Sequence, residues 1–159
     1  MVHINIITLG KLKETYLKEA VSEYSKRLSK YCKLNIIELA DEPIPDKINS
    51  KIIENIKNIE GAKIMPYMKN GYNISLALEG KQYSSEEFSE ELENIFLNQN
   101  STINFIIGGS LGLANEVLSN SSKLICFSKM TFPHQLIRVF LLEQIYRAFK
   151  IQNNESYHK

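Results

Sequence analysis

The chain reads as an α/β domain, a mostly parallel sheet with helices on both faces, and three observations predict this. Short apolar runs alternate with segments whose apolar residues recur every three or four positions, the rhythm of strand and crossover helix. One run, TINFII at Thr102–Ile107, is apolar almost throughout, as strands buried on both faces are, and it belongs at the centre of the sheet. A glycine-rich turn, Gly108 to Gly112, follows it directly. In such sheets ligands bind outside the carboxyl ends of the strands, so the loops leaving after Leu78, Ile107 and Phe127 are expected to converge on one crevice.

Taken in order, VHINIITL alternates, becomes continuously apolar and stops at Gly10, a strand followed by a turn. From Leu12 onward Tyr16, Ala20, Tyr24 and Leu28 recur every four residues, which predicts an amphipathic helix ending near Tyr31. Leu34–Leu39 is a second strand, and Pro43 and Pro45 exclude regular helix just after it. Ile48, Ile52, Ile56 and Ile59 mark a helix reaching about Glu60, where Gly61 stops or interrupts it. Tyr72–Leu78 is a third strand; Ser84 and Glu87 then form a capping box ahead of Phe88, Leu92, Ile95 and Phe96, in a helix that ends near Asn98. After TINFII come a short helix around Ala114–Asn120, a fifth strand in KLICFS, and a closing helix from about Pro133 to Lys150. Thr131 is placed to cap that last helix and Phe132 to staple it.

Along the closing helix Ile137, Leu141, Ile145 and Ala148 form one stripe, while Leu136 and Phe140 lie on another side beside Val139 and Tyr146. A small chain cannot cover both sides with one sheet. The pattern predicts a homodimer built on this helix, with Glu143 and Arg147 paired at i, i+4 inside the contact.

A length of 159 residues fits a single domain, 1–159, with a real core. Lys and Arg total 19 against 18 Asp and Glu, so a net charge of +1 gives no general hold on a phosphate backbone, and any RNA recognition must be local. Cys32 and Cys126 lack the spacing of a zinc site or a disulfide framework, and free thiols are expected. No run approaches the ~20 apolar residues of a membrane span, and the opening run is too short for a signal peptide. The expectation is a cytoplasmic protein without a membrane partner.

Gly108, Gly109 and Gly112 let the backbone turn sharply and approach a ligand with bare N–H groups. The spacing is not that of a dinucleotide fingerprint, and no Gly-Lys-Ser/Thr follows as in a P-loop. A ligand without a polyphosphate, such as a nucleoside derivative, suits such a turn. Among three histidines, His3 lies in a strand and reads as structural; His134, in the first turn of a helix, is held toward its neutral form by the helix dipole. His158 stands between Tyr157 and Lys159, an imidazole between an aromatic and a cation, which suits RNA. The segment from Asn153 to Lys159 has one aromatic and no aliphatic residue, so something outside the subunit's own core is expected to order it.

The runs IIGGSLGL, MTFPHQLIRVFLLEQIYRAFKI and NNESYHK, with the opening strand and GKLKETYLKE, resemble the bacterial RlmH family of the SPOUT methyltransferase superfamily over nearly the whole chain. The resemblance implies one SPOUT domain with a C-terminal trefoil knot. It also implies S-adenosylmethionine-dependent methylation of N3 of a pseudouridine in the helix 69 loop of 23S rRNA, on the assembled ribosome, by a homodimer without a metal. Carried over residue by residue, the cofactor contacts fall at Leu76, Gly108, Phe127, Ser128, Lys129, Met130, Thr131 and Phe132. The substrate-side tail is Tyr157, His158 and Lys159, with His158 the candidate acceptor of the N3 proton. The alternatives are a nucleotide-binding regulatory module and a non-catalytic, ribosome-associated SPOUT protein.

Overall fold

A computed structural model describes residues 1–158 of the chain, and Lys159 lies outside the described residues. The chain runs β1 (Val2–Leu9), α1 (Thr15–Leu28), β2 (Cys32–Leu39), α2 (Ser50–Ile64), a short 3-10 turn (Met65–Met68), β3 (Tyr72–Lys81), α3 (Ser85–Asn98), β4 (Thr102–Ile107), α4 (Asn115–Ser119), β5 (Lys123–Ile125) and α5 (His134–Gln152). The five strands form one sheet in the order β2-β1-β4-β3-β5, and every pairing is parallel. β4 lies at the centre, as its apolar run predicts, and all but its first residue are buried.

The pleat divides the core in two. Ile4, Ile6, Ile103, Phe105 and Ile107 face α1, α3 and α5, where Leu28, Phe88, Leu92, Leu141, Ile145 and Phe149 meet them. Ile7, Leu9 and Ile106 face the opposite way, onto Ile64 and Val117 from α2 and α4. This is the predicted three-layer arrangement.

Asparagines share that interior because each finds a partner, whereas the buried Thr8 hydroxyl has none among the described residues. Asn5, Asn104 and Asn73 sit opposite one another on β1, β4 and β3. The Asn5 amide donates to Asn104 Oδ1 at 2.8 Å, and Asn104 donates to Asn73 Oδ1 at 2.9 Å and to the Asn70 carbonyl at 2.7 Å. Such a ladder fixes register, since a slip of one residue would leave buried amides unsatisfied.

Several boundaries differ from the sequence reading for physical reasons. α2 is capped by Asn49, whose side chain accepts from Ile52 N, and passes through Gly61 without stopping. There α4 packs so closely that a Cβ on Gly61 would stand 3.0 Å from the Ala114 methyl. Glycine here serves contact, not termination. The buried face of α1 uses Leu17 and Leu28, while Tyr16 is 67% exposed. In α2, Ile59 is exposed and Glu60 is buried in its place. Thr131 does not cap α5: Pro133, held extended at ψ 133°, occupies the N-cap position and no side chain caps the helix. Phe132 meets the Phe140 ring edge-on at 5.5 Å, giving Phe140 a partner inside the chain although it stays 37% exposed. Both cysteines are free and buried.

β3 runs three residues beyond the expected Leu78, and its end makes the tightest approach in the fold. Ile125 of β5 bridges both Leu76 and Lys81, so the residues between them bulge outward. At Gly80 a Cβ would stand 2.6 Å from the Ile125 backbone. Gly80→Ala must therefore push β3 off β5, with an expected loss of about 2 kcal/mol or more in urea unfolding. Stability equal to that of the parent would show that the two strands separate without cost.

Candidate functional site

The loops after Ile107 and Phe127 meet as predicted, but the third wall is the end of β3 itself and not a loop leaving after Leu78. A crevice of about 760 Å³ opens at the carboxyl ends of β3, β4 and β5, within the range of small-molecule sites. The bulged end of β3 supplies Leu76 to Glu79, the glycine turn supplies Gly108 to Leu113, and the loop from Cys126 to Pro133 closes the third side with His134 and Ile137 of α5. Leu76, Gly108, Phe127, Ser128, Met130, Thr131 and Phe132 all line it. Lys129 is exposed and is not part of the lining.

Local chemistry shapes each wall. The Gly112 N–H donates to the Gly109 carbonyl at 3.1 Å, and Gly112 adopts φ 89°, which closes a tight turn that an L side chain would strain. A Cβ on Gly108 would stand 3.0 Å from both the Gly112 carbonyl carbon and Leu113 Cγ, so bulk there disturbs the turn itself as well as the crevice. In the third loop the Cys126 thiol donates to the Ser128 carbonyl at 3.0 Å and Ser128 Oγ accepts from Met130 N at 3.0 Å, which holds the segment in a compact bend. The wall is thus apolar side chains interleaved with backbone polar groups. Such a mixture suits a nucleoside-like ligand.

Two buried charges that sequence reasoning passed over stand behind the crevice. Arg138 of α5, 1% exposed, donates to Glu38 Oε2 at 2.7 Å and to the Gly10 carbonyl at 3.3 Å, which ties the closing helix to the ends of β1 and β2. Glu60 accepts from Glu42 N at 3.0 Å and lies against Gly109; burial pushes its carboxyl pKa up. An arginine and a glutamate at apolar positions of amphipathic helices were the available signals. His134 is held toward the neutral ring, as expected, chiefly by burial and then by Arg138.

The tail is not where its composition placed it. Asn153 and Asn154 end α5 in a Schellman motif: Glu155 N donates to the Lys150 carbonyl, Asn154 N donates to the Ile151 carbonyl, and Asn154 takes φ 52°. The reversal lays the tail back on its own subunit. Glu155 accepts from Lys150 at 2.6 Å and from Tyr31 at 2.7 Å. Tyr157 donates to Glu143 Oε2 at 2.8 Å and packs edge-on to Tyr146, with the Arg147 guanidinium 4.7 Å from its ring. His158 lies between Arg147, 3.1 Å from Nδ1, and Glu86, 2.5 Å from Nε2. The expectation that only an outside partner orders this segment fails, because charged and aromatic contacts do what the missing aliphatics cannot. Neither Tyr157 nor His158 lines the crevice, and Lys159 lies outside the described residues.

Comparison with known proteins matches this architecture. A family model described as predicted SPOUT methyltransferase covers residues 2–158. The chain belongs to this family. Proteins called ribosomal RNA large subunit methyltransferase H from Clostridium acetobutylicum and from Clostridium botulinum strain Alaska E43 are 58% and 60% identical to it, over 99% of each chain. Among solved structures, a Legionella pneumophila methyltransferase with bound S-adenosylmethionine has the same fold at a TM-score of 0.52 and 16% identity; the match covers 93% of this SPOUT chain and 66% of the Legionella one.

The docked tail carries its own pH signature. Burial and the hydrogen bond to Glu143 push the Tyr157 pKa up to about 12, which favours the protonated phenol in the folded state. The contribution to tail docking is complete below the ordinary tyrosine value of about 10 and is lost as pH rises through about 12. Tyrosinate absorbance of the wild type minus that of Tyr157→Phe should titrate at the upper end of that window. A midpoint at the ordinary value would mean that the tail is undocked in solution.

Proposed function

We propose that this chain transfers a methyl group from S-adenosylmethionine to N3 of a pseudouridine in the helix 69 loop of 23S rRNA on the assembled ribosome. The observation that carries the reading is the crevice: the glycine turn, the loop after β5 and the end of β3 meet at the carboxyl edge of a parallel sheet, in a SPOUT family member whose close relatives bear ribosomal RNA methyltransferase names. Its lining fits the methyl donor. Leu76, Leu78, Ile107, Phe127 and Ile137 offer apolar cover for an adenosine, and the backbone of Gly108 to Gly112 offers polar groups that require no side chain. When bound, S-adenosylmethionine supplies an already activated sulfonium methyl.

The residues of the chain then have to position, exclude water and manage one proton. The N3 proton of the base must leave, and the tail is our choice for the group that takes it. As docked, His158 accepts from Arg147 at Nδ1, so its proton sits on Nε2 and is donated to Glu86. A neutral imidazole can act as a base only once one of these contacts is released. In this reading, RNA lifts the tail from Glu86 and Arg147, and Lys159 meets a phosphate. The assembly is a homodimer on α5, supported by the half-buried Leu136 and Val139. The knot belongs to the same reading.

The test uses large ribosomal subunits from cells that lack this protein, with mass spectrometry of the rRNA after incubation. The wild type should add one methyl to a pseudouridine. A chain truncated after Ser156 should keep a mass of about twice 18.3 kDa and its cofactor affinity, yet transfer the methyl roughly 10²-fold more slowly. Full-rate transfer by the truncated chain would remove the tail from the mechanism.

A further inference from the structure

Behind the crevice, across Ile125 to Ser128 and Phe132, lies a second cavity of about 280 Å³. Its walls are unusually aromatic: Tyr83, Phe127, Phe132 and Phe140 all border it, and none of these rings is fully buried. Sequence reasoning assigned Phe140 to a subunit contact, but its edge-on packing with Phe132, at 88° between planes, already seats it inside the chain. What the two rings leave open is a concave slot rather than a flat patch.

The polar groups of the slot are few and oriented. Ser85 Oγ donates to Gln144 Oε1 at 2.7 Å, which turns the amide so that its Nε2 donors have no acceptor among the described residues. At the rim the Lys81 ammonium stands 4.8 Å from the Tyr83 ring centroid, with Lys123 at 5.9 Å. Lys123 is also paired to Glu91 at 2.6 Å, which leaves Lys81 as the exposed cation. On the far side the docked tail reaches Glu86, the residue after Ser85.

Aromatic walls, amide donors and a cation at the mouth are the chemistry that takes an unstacked base: rings stack on its faces, N–H groups meet its carbonyls, and the ammonium meets its phosphate. We propose that this cavity seats an unstacked uracil-type base of the RNA substrate, stacked on the Phe140 ring with the Phe132 ring set across its edge, and read at a carbonyl by Gln144. The inference rests on the RNA-methyltransferase reading above and adds to it a binding site separate from the cofactor crevice. It also gives the tail a place to act, since a base in the slot lies between the crevice and His158.

Two variants test it. Phe140→Ala removes one stacking face at a part-exposed position, and Gln144→Glu keeps an acceptor for Ser85 while exchanging the amide donors for a carboxylate oxygen. Each should raise both Kd and KM for unmethylated large subunits about tenfold, with calorimetric S-adenosylmethionine affinity and light-scattering mass unchanged, and Phe140→Trp should restore binding. An unchanged KM for Gln144→Glu, in a background where the wild type methylates, would overturn the cavity and leave the function standing. A Phe140→Ala chain of halved mass would assign the ring to a subunit contact and also overturn it. A wild type that transfers no methyl would instead overturn the reading on which the cavity rests.

Discussion

The site depends on one close approach, that of the end of β3 to β5 at Gly80 and Ile125. Because Ile125 pairs with Leu76 and again with Lys81, the register with β5 shifts between them, and Leu76 to Glu79 become a wall of the crevice. The same return of the chain at Lys81, whose carbonyl accepts from Cys126 N at 2.9 Å, carries Tyr83 to Ser85 around to the second cavity. Both hollows border this contact, which a Cβ at residue 80 would obstruct, since it would stand 2.6 Å from the Ile125 backbone.

Charges add to apolar packing in holding the ends of β1 and β2 and the glycine turn. Arg138 reaches from α5 to Glu38 and Gly10, and Glu60 stands against Gly109. Burying such groups is costly unless they are paired, so their worth lies in geometry: they fix α5 and the glycine turn relative to the sheet. The Asn5–Asn104–Asn73 ladder does the same for register at the other end of the central strands. A crevice formed by loops is thereby supported from beneath by groups that tolerate little displacement.

Much of this was legible in the sequence. The alternation of apolar runs and helical periods gave the layers, TINFII gave the central strand, and the loops after β4 and β5 meet the end of β3 where the rule for parallel sheets puts a crevice. The resemblance supplied the expected cofactor contacts, and all of these but Lys129 line the crevice. What stayed hidden was tertiary. Gly61 reads as a stop in one dimension and proves to be a contact with Ala114 in three. Thr131 has the right chemistry for a cap, but the extended Pro133 sets the helix start two residues beyond it. The tail was judged by its lack of aliphatics, whereas its docking uses Glu143, Arg147, Glu86 and Lys150, residues whose convergence no periodicity reveals. The pair Asn153-Asn154 after a helix was the sequence signal for that reversal.

The central claim is that the end of β3 and the loops after β4 and β5 together form the cofactor site. Amide hydrogen exchange with and without S-adenosylmethionine tests it most directly. The account predicts added protection in residues 76–79, 108–113 and 126–134, and none in α2 or in the docked tail. Protection confined to the tail and α3, with the glycine turn unaffected, would contradict it.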